Sequence, residues 1–333
     1  MMDNGAFILG MGGISNLGRL QSGDPGDAFL PLPAGTSKIS AAEFPIGRYI
    51  TKQRDINAMG LGQKLLVCAA GLALEDAGLL GSDITDCDIY MASKSGERNE
   101  DIDAAILGKA RTGELDINSE LGRLRPTHFL AELPNLYSAN IAMMFGAKGE
   151  SVTFVGEASA SVHAVTHAIE KLSSGQAHRS IVGGVFNGDQ KIHDEYLASM
   201  KAGGSTRITF GCAATCLVLG TAPAGAIAKL SRLESFDWDD VSRLIRENEV
   251  LAVSASFYPG SDLPVQWRPE QIGVPGVNIA DYMGSLFESA LPTQVLFSML
   301  YFKTALQLQQ GKRILLIAQV GRARFEAFLL DVL

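Results

Sequence analysis

A layered α/β sandwich assembled from two similar halves is the architecture this sequence predicts, and three observations point to it. Apolar runs of strand length alternate with helical patterns along the whole chain. The stretch SVTFVGEASASVHAVTHAIEKLSSGQAHRSIVGG (Ser151–Gly184) reads as a short strand, a tight small-residue turn, an amphipathic helix and a second strand. Beyond residue 225 a second succession of strand, helix, strand, long helix and closing hairpin follows. The division falls between residues 1–224, which carry the turn at Gly156–Ser161, and a shorter second half, residues 225–333. A chain of 333 residues is long enough for one duplicated α/β unit, and 47% hydrophobic content with 36 glycines suits tight packing and many close connections.

Composition narrows the function. The net charge is −8, and there is no run of Lys or Arg, which argues against nucleic acid as a partner. Arg123, Arg125, Arg322 and Arg324 are candidates for a local basic patch, with solvated surface as the bland alternative. Cys68, Cys87, Cys212 and Cys216 lack zinc-site spacing and fit a reduced, cytoplasmic chain. Cys212 and Cys216, four apart in one strand, read as small buried apolar residues on one face. No signal-peptide pattern and no membrane-spanning apolar run is expected.

Taken in order, Ala6–Gly10 is a buried strand. Met11–Gly18 looks superficially like a dinucleotide loop, but Ser15 stands where the third glycine belongs and no acidic ribose partner follows. Residues Gln21–Asp55, rich in Pro, Gly and Ser, are expected to run over the surface. Leu61–Leu79 is helical, Asp88–Ala92 a strand and Asp101–Lys109 a helix, followed by a helix through Ile141–Phe145. A strand through Ile208–Leu219 closes the first half. Ala226–Phe236 opens the second as a strand; Asp239–Arg246 is a helix and Val250–Ser256 a strand. Met283–Gln307 has sustained helical periodicity, and Arg313–Ala318 with Phe325–Leu330 forms a hairpin.

Several segments together resemble the β-ketoacyl-acyl-carrier-protein synthases of the thiolase superfamily. They are ALEDAGL at 73–79, Leu133-Pro134-Asn135, Phe145-Gly146-Ala147-Lys148-Gly149, His163 and the Gly183-Gly184 strand end. The resemblance implies a thiolase-like duplicated αβαβα sandwich. It also implies a nucleophilic cysteine five residues before His163, where this chain has Ala158. The family's first catalytic histidine falls on Ser256 in the run Val253–Gly260. Its second falls on Ser285, with Gly284 on the motif glycine and Ala280 on the motif lysine. No histidine occurs after His193, so a shift of register restores neither. Cysteine acylation needs a thiolate, and alanine has no nucleophile. The glycine-rich turn of the oxyanion hole falls near Gln319–Arg324; only Gly321 matches, and Arg322 and Arg324 imply an altered or closed site.

Other chemistry in the pocket rests on Glu157, Ser159, Ser161 and His163. A Ser–His pair is one reading; capping serines with a structural histidine packed beneath the turn, and Glu157 favoured by the helix N-terminus, is the other. His163 and His167, four apart on one helical face, lack an evident third metal ligand, and no metal or cofactor is expected. Three functions remain open. By resemblance the chain is a chain-length-factor-like subunit, without condensing activity, that pairs with an active ketosynthase and shapes its acyl tunnel. Its expected partners are that ketosynthase, or itself as a dimer, and a phosphopantetheinylated acyl carrier protein. The alternatives are a serine-based hydrolase or acyl transferase using Ser159, Ser256 or Ser285, and a non-catalytic acyl-binding homodimer.

Overall fold

The computed structural model describes residues 5–22, 29–33, 36, 38–123, 126–194, 198, 209–233, 236, 238–257, 272–321 and 324–333. The first half contributes β1 (Gly5–Ser15), β2 (Gly18–Gln21), β3 (Asp88–Ser93), β4 (Ser151–Val155), β5 (Arg179–Asn187) and β6 (Cys212–Gly220). The second contributes β7 (Ala228–Arg232), β8 (Ala252–Ser256), β9 (Gly276–Asn278), β10 (Arg313–Gln319) and β11 (Phe325–Val332). Principal helices are α1 (Leu61–Asp76), α2 (Glu100–Thr112), α3 (Leu136–Phe145), α4 (Ala158–Ser173), α5 (Val241–Glu247) and α6 (Ala290–Ala305).

Strand order reveals an internal repeat. The sheet runs β4-β3-β5-β6-β1-β7-β11-β10-β8-β9, with β2 paired to β1. Reading outward from the β1–β7 junction, the first half gives β1, β6, β5, β3, β4 and the second β7, β11, β10, β8, β9. The pairings repeat in sense as well. β1–β6 and β6–β5 are antiparallel while β5–β3 and β3–β4 are parallel. Likewise β7–β11 and β11–β10 are antiparallel, and β10–β8 and β8–β9 parallel. Parallel strands need covered faces, and β3, with all six residues buried, has them.

Two helices fill the space between the halves. The amphipathic α4 buries Val162, Val165, Ile169 and Leu172 with small alanines between them. In α6 eleven of sixteen residues are buried, and it packs against α4, β5 and β6 on one side and β8 and β10 on the other. A helix apolar nearly all round belongs in an interior. α1 covers the outer face of the first half, while α5 packs among the apolar residues of β8, β10 and β11. This is the thiolase-like layered α/β sandwich.

Two expectations need correction. Met11–Ser15 is no loop: β1 runs through to Ser15 and turns directly into β2. Its glycines serve packing, since a Cβ on Gly12 would lie 2.3 Å from the Ala73 backbone nitrogen of α1. The segment 21–55 is not merely surface chain either. Residues Ile46–Tyr49 and Gln53–Ala58 form short helices, and Tyr49 and Ile50 are buried against α1. Cys212 and Cys216 do share a buried face, in the cluster under α1.

Candidate functional site

The turn after β4 puts Ala158 at the first helical position of α4, with Glu157 as the N-cap residue. The first amides of a helix lack intrahelical partners, so positive potential collects there. The flanking polar residues separate by face of the helix. Glu157 is exposed and makes no side-chain capping bond. Ser161 is fully buried; its hydroxyl donates to the Ala158 carbonyl at 3.0 Å and accepts from the Leu291 N–H at 3.4 Å. His163 is exposed rather than packed beneath the turn, because two steps along the helix carry it to the face opposite Ser161.

His163 lines a cleft of about 550 Å³ shared with Ser159, Phe154, His167, Val320 and Arg324. The cleft opens beside Ser159, the residue after Ala158, and its far wall is the β10–β11 turn. In that turn Val320 donates to the Arg324 carbonyl at 2.9 Å, and the Gln319 side chain donates to the Gly321 carbonyl at 3.0 Å. Arg324 is exposed on the cleft wall. Arg125 and Arg322 lie outside the described residues, while Arg123 pairs with Glu120, which Lys109 also contacts, on the surface helices.

The two serines lie on different elements of the second half. Ser256 ends β8, 8% exposed, and lies beside Ala318 in the register with β10, two residues before Val320. Ser285, 5% exposed, is held by its own N–H to the Thr209 carbonyl at 2.8 Å and by the Gly211 N–H to its carbonyl at 3.1 Å. The segment after it, 287–291, packs on α4 and β5. Ala158, Ser256 and Ser285 are all buried, at 5%, 8% and 5% exposure.

Glu288 is the residue that sequence reasoning missed. It lies in a 3-10 turn, Phe287–Ser289, and is 3% exposed, with Oε2 lacking a hydrogen-bond partner. Burial pushes its carboxyl up to about 8; its own N–H and Lys94 oppose the rise, and Glu157 adds to it. The only charged residue in the run 285–297 was the available signal. Beside it, Phe186, Phe210, Phe287 and His193 form a ring cluster with centroid separations of 4.9–6.0 Å. Burial holds the His193 imidazole down near 4, so it is neutral.

Among the described residues no group of three His, Cys, Asp or Glu side chains is placed to hold a metal. All four cysteines are buried, and burial pushes Cys68, Cys87 and Cys212 up to about 12 and Cys216 higher. Among the same residues no helix is long and apolar enough to cross a membrane.

A duplicated, layered α/β chain with its candidate site at the tip of a central helix is of the thiolase-like class. Residues 34–208 match the family model for the β-ketoacyl synthase N-terminal domain, so the chain belongs to the β-ketoacyl synthase family. Among solved structures, one of a type II PKS acyl-carrier protein in complex with its ketosynthase bound to the hexaketide aligns at 16% identity and TM-score 0.74, covering 100% of both chains. The ishigamide ketosynthase/chain length factor aligns at 16% identity and TM-score 0.69, with 99% of each chain covered. A β-ketoacyl synthase from Burkholderia phymatum STM815 aligns at 14% identity and TM-score 0.69, covering 100% of both. No curated protein sequence matches the chain.

Proposed function

We propose that this chain is a catalytically silent ketosynthase-like subunit that pairs with an active β-ketoacyl-acyl-carrier-protein synthase in fatty-acid or polyketide-type biosynthesis. One observation carries the reading: the residue at the first position of α4, where the family's nucleophile belongs, is an alanine. Ser256 and Ser285 stand at the two histidine positions, and no imidazole follows His193 in the sequence. Condensing activity from this chain alone is then excluded by chemistry. In this reading residues 1–224 carry the helix tip and residues 225–333 complete its pocket, and the chain works in the cytoplasm.

Surface features support pairing. Among the described residues β4 is an edge strand, bonded to β3 alone, and edge backbone groups are a template for another chain. Val155 at its end is 55% exposed and Met143 on the neighbouring α3 is 64% exposed. Co-expression with an active ketosynthase from its own gene neighbourhood tests the idea. The expected result is a stable complex that Val155→Asp weakens and that an acyl carrier protein engages. A native chain that co-purifies with no ketosynthase overturns it, and self-association alone selects the homodimer.

A second reading has one observation in its favour. Ser159 and His163 are four apart on one face of α4 and both line the 550 Å³ cleft. Labelling by a fluorophosphonate that Ser159→Ala abolishes would select a serine hydrolase or acyl transferase. No labelling removes that reading.

A further inference from the structure

Helix α2 has thirteen residues, and none of them is buried. Ile102, Ala105 and Ile106 are half-buried on one side, while Leu107 is 57% exposed. Ile106 and Leu107 line a cleft of about 450 Å³ between α2 and the short helix Pro126–Glu132, whose Phe129 is 55% exposed. Ile117, Leu130 and Leu133, in the same connection between β3 and α3, are exposed as well. Large apolar side chains concentrated in this way mark a surface that another molecule covers.

The pattern of α2 identifies that molecule. With a helix advancing about 100° per residue, Asp101, Ala104, Leu107, Gly108 and Arg111 share one outward arc, and all five are exposed. Asp101 and Arg111 stand five residues either side of Ile106, and Ala104 and Gly108 two residues either side. A second α2 laid antiparallel across that centre therefore brings its Arg111 to Asp101 and its Gly108 to Ala104. A face that is its own complement is the condition for an isologous contact about a two-fold axis. The remaining charges agree. Glu100, Asp101 and Asp103 occupy the first turn and Lys109 and Arg111 the last, so antiparallel packing opposes unlike ends, whereas parallel packing would stack like ones. Within the chain Asp103 pairs with Arg98, Lys109 pairs with Glu120, and Glu100 accepts from the Lys191 backbone N–H. Asp101 is 97% exposed, with only the Lys191 ammonium at 3.7 Å.

Gly108 is a second, independent sign. Glycine weakens a helix interior, and a Cβ there would meet nothing within 4 Å, so no contact among the described residues calls for it. Together with Ala104 it lets a second helix axis approach closely.

We infer that the outward face of α2 is a self-association surface, on which two copies of this chain pair antiparallel. Ala104 and Gly108 lie at the crossing, Leu107 and Phe129 are covered, and Asp101–Arg111 pairs close both ends. The contact uses none of the residues invoked for pairing at the β4 edge, so it goes beyond that reading and does not depend on it. Exposed ion pairs add little affinity; here they set orientation, and the apolar contact supplies the binding.

Sedimentation velocity of the full chain across the micromolar range tests the inference. A concentration-dependent equilibrium between one and two copies is expected. Leu107→Asp and Arg111→Glu should each weaken it about tenfold or more, since every change occurs twice across the two-fold axis. Adding Asp101→Arg to Arg111→Glu should restore native association, because exchanging both ends leaves the face self-complementary. All three sites are exposed, so unchanged melting temperatures are expected to accompany these shifts. A single copy at every concentration, association indifferent to Arg111→Glu, or a double variant no better than the single one overturns the inference. Co-purification with a ketosynthase keeps the two ideas apart. Arg111→Glu should leave ketosynthase capture intact and Val155→Asp should leave self-association intact. Self-association lost in Val155→Asp places the copies on the β4 edge and overturns the role of α2.

Discussion

The backbone N–H of Leu291 donates to the hydroxyl of Ser161 across 3.4 Å, tying the first turn of α6 to the first turn of α4. The same hydroxyl donates to the Ala158 carbonyl at 3.0 Å, so one fully buried serine links the tip of α4 to the opposite half of the molecule. Ser161→Ala leaves the Leu291 amide without its acceptor. The expected loss is about 1–2 kcal/mol, read by denaturant unfolding. An unchanged midpoint would mean that the amide finds another acceptor.

Ala158→Cys should install a thiol without restoring condensation, because Ser256 and Ser285 can neither activate it nor assist decarboxylation. The four native cysteines are buried with thiols held protonated, so brief iodoacetamide treatment of the folded variant should add one alkyl group by intact mass. Ketosynthase turnover by this single variant would contradict the assignment of the histidine positions.

Gly184→Ala should be severely destabilising. The new methyl would sit 2.1 Å from the Glu288 backbone oxygen, and neither β5 nor the 287–289 turn can retreat from a filled interior. A cost of about 3 kcal/mol or more is expected, seen as a large fall in melting temperature or in soluble yield. A native-like melt would show that the turn moves freely.

Stability should depend on the Glu288 carboxyl between pH 4.5 and about 8. Its folded pKa lies above the unfolded value, so the folded state binds the extra proton and stability is lost as pH rises through that window. Glu288→Gln should therefore match the native protein near pH 4 and exceed it increasingly up to pH 8. The ceiling on the gain is on the order of 5 kcal/mol. Parallel stability–pH curves for the two proteins would refute this.

His193 has the opposite sign. Its folded pKa is depressed from 6.5 to about 4, so the unfolded chain takes up the proton first and stability is lost as pH falls through that range. His193→Phe keeps a ring against Phe186 and Phe210 while removing the titration, and its acid unfolding should begin at lower pH than that of the native chain.

Much of this molecule was legible in its residues. Apolar runs of strand length and helical periodicity located β3, β5, β8, α4 and the β10–β11 hairpin to within a few residues, because local burial patterns determine those elements. The helix expected over Met283–Gln307 starts only at Ala290, because Gly284 and the 3-10 turn at Phe287–Ser289 interrupt the apolar run before it. The Gly10–Gly13 run shows the limit of sequence: a glycine cluster marks close backbone approach, but what approaches is invisible along the chain; at Gly10 and Gly12 it is α1. His163 and Ser161 illustrate the same limit at the site, since both lie on α4 and only the packing of α6 decides which one is buried.

By itself the sequence determined the family, the duplicated succession of elements and the fact that no histidine follows His193, since residue identity and short-range periodicity carry that information. Only the tertiary structure decided that β4 ends the sheet among the described residues, that His163 lines a cleft, and that Glu288 is buried with Oε2 unpaired. Desolvation and the meeting of remote segments produce those properties, and neither exists in an extended chain.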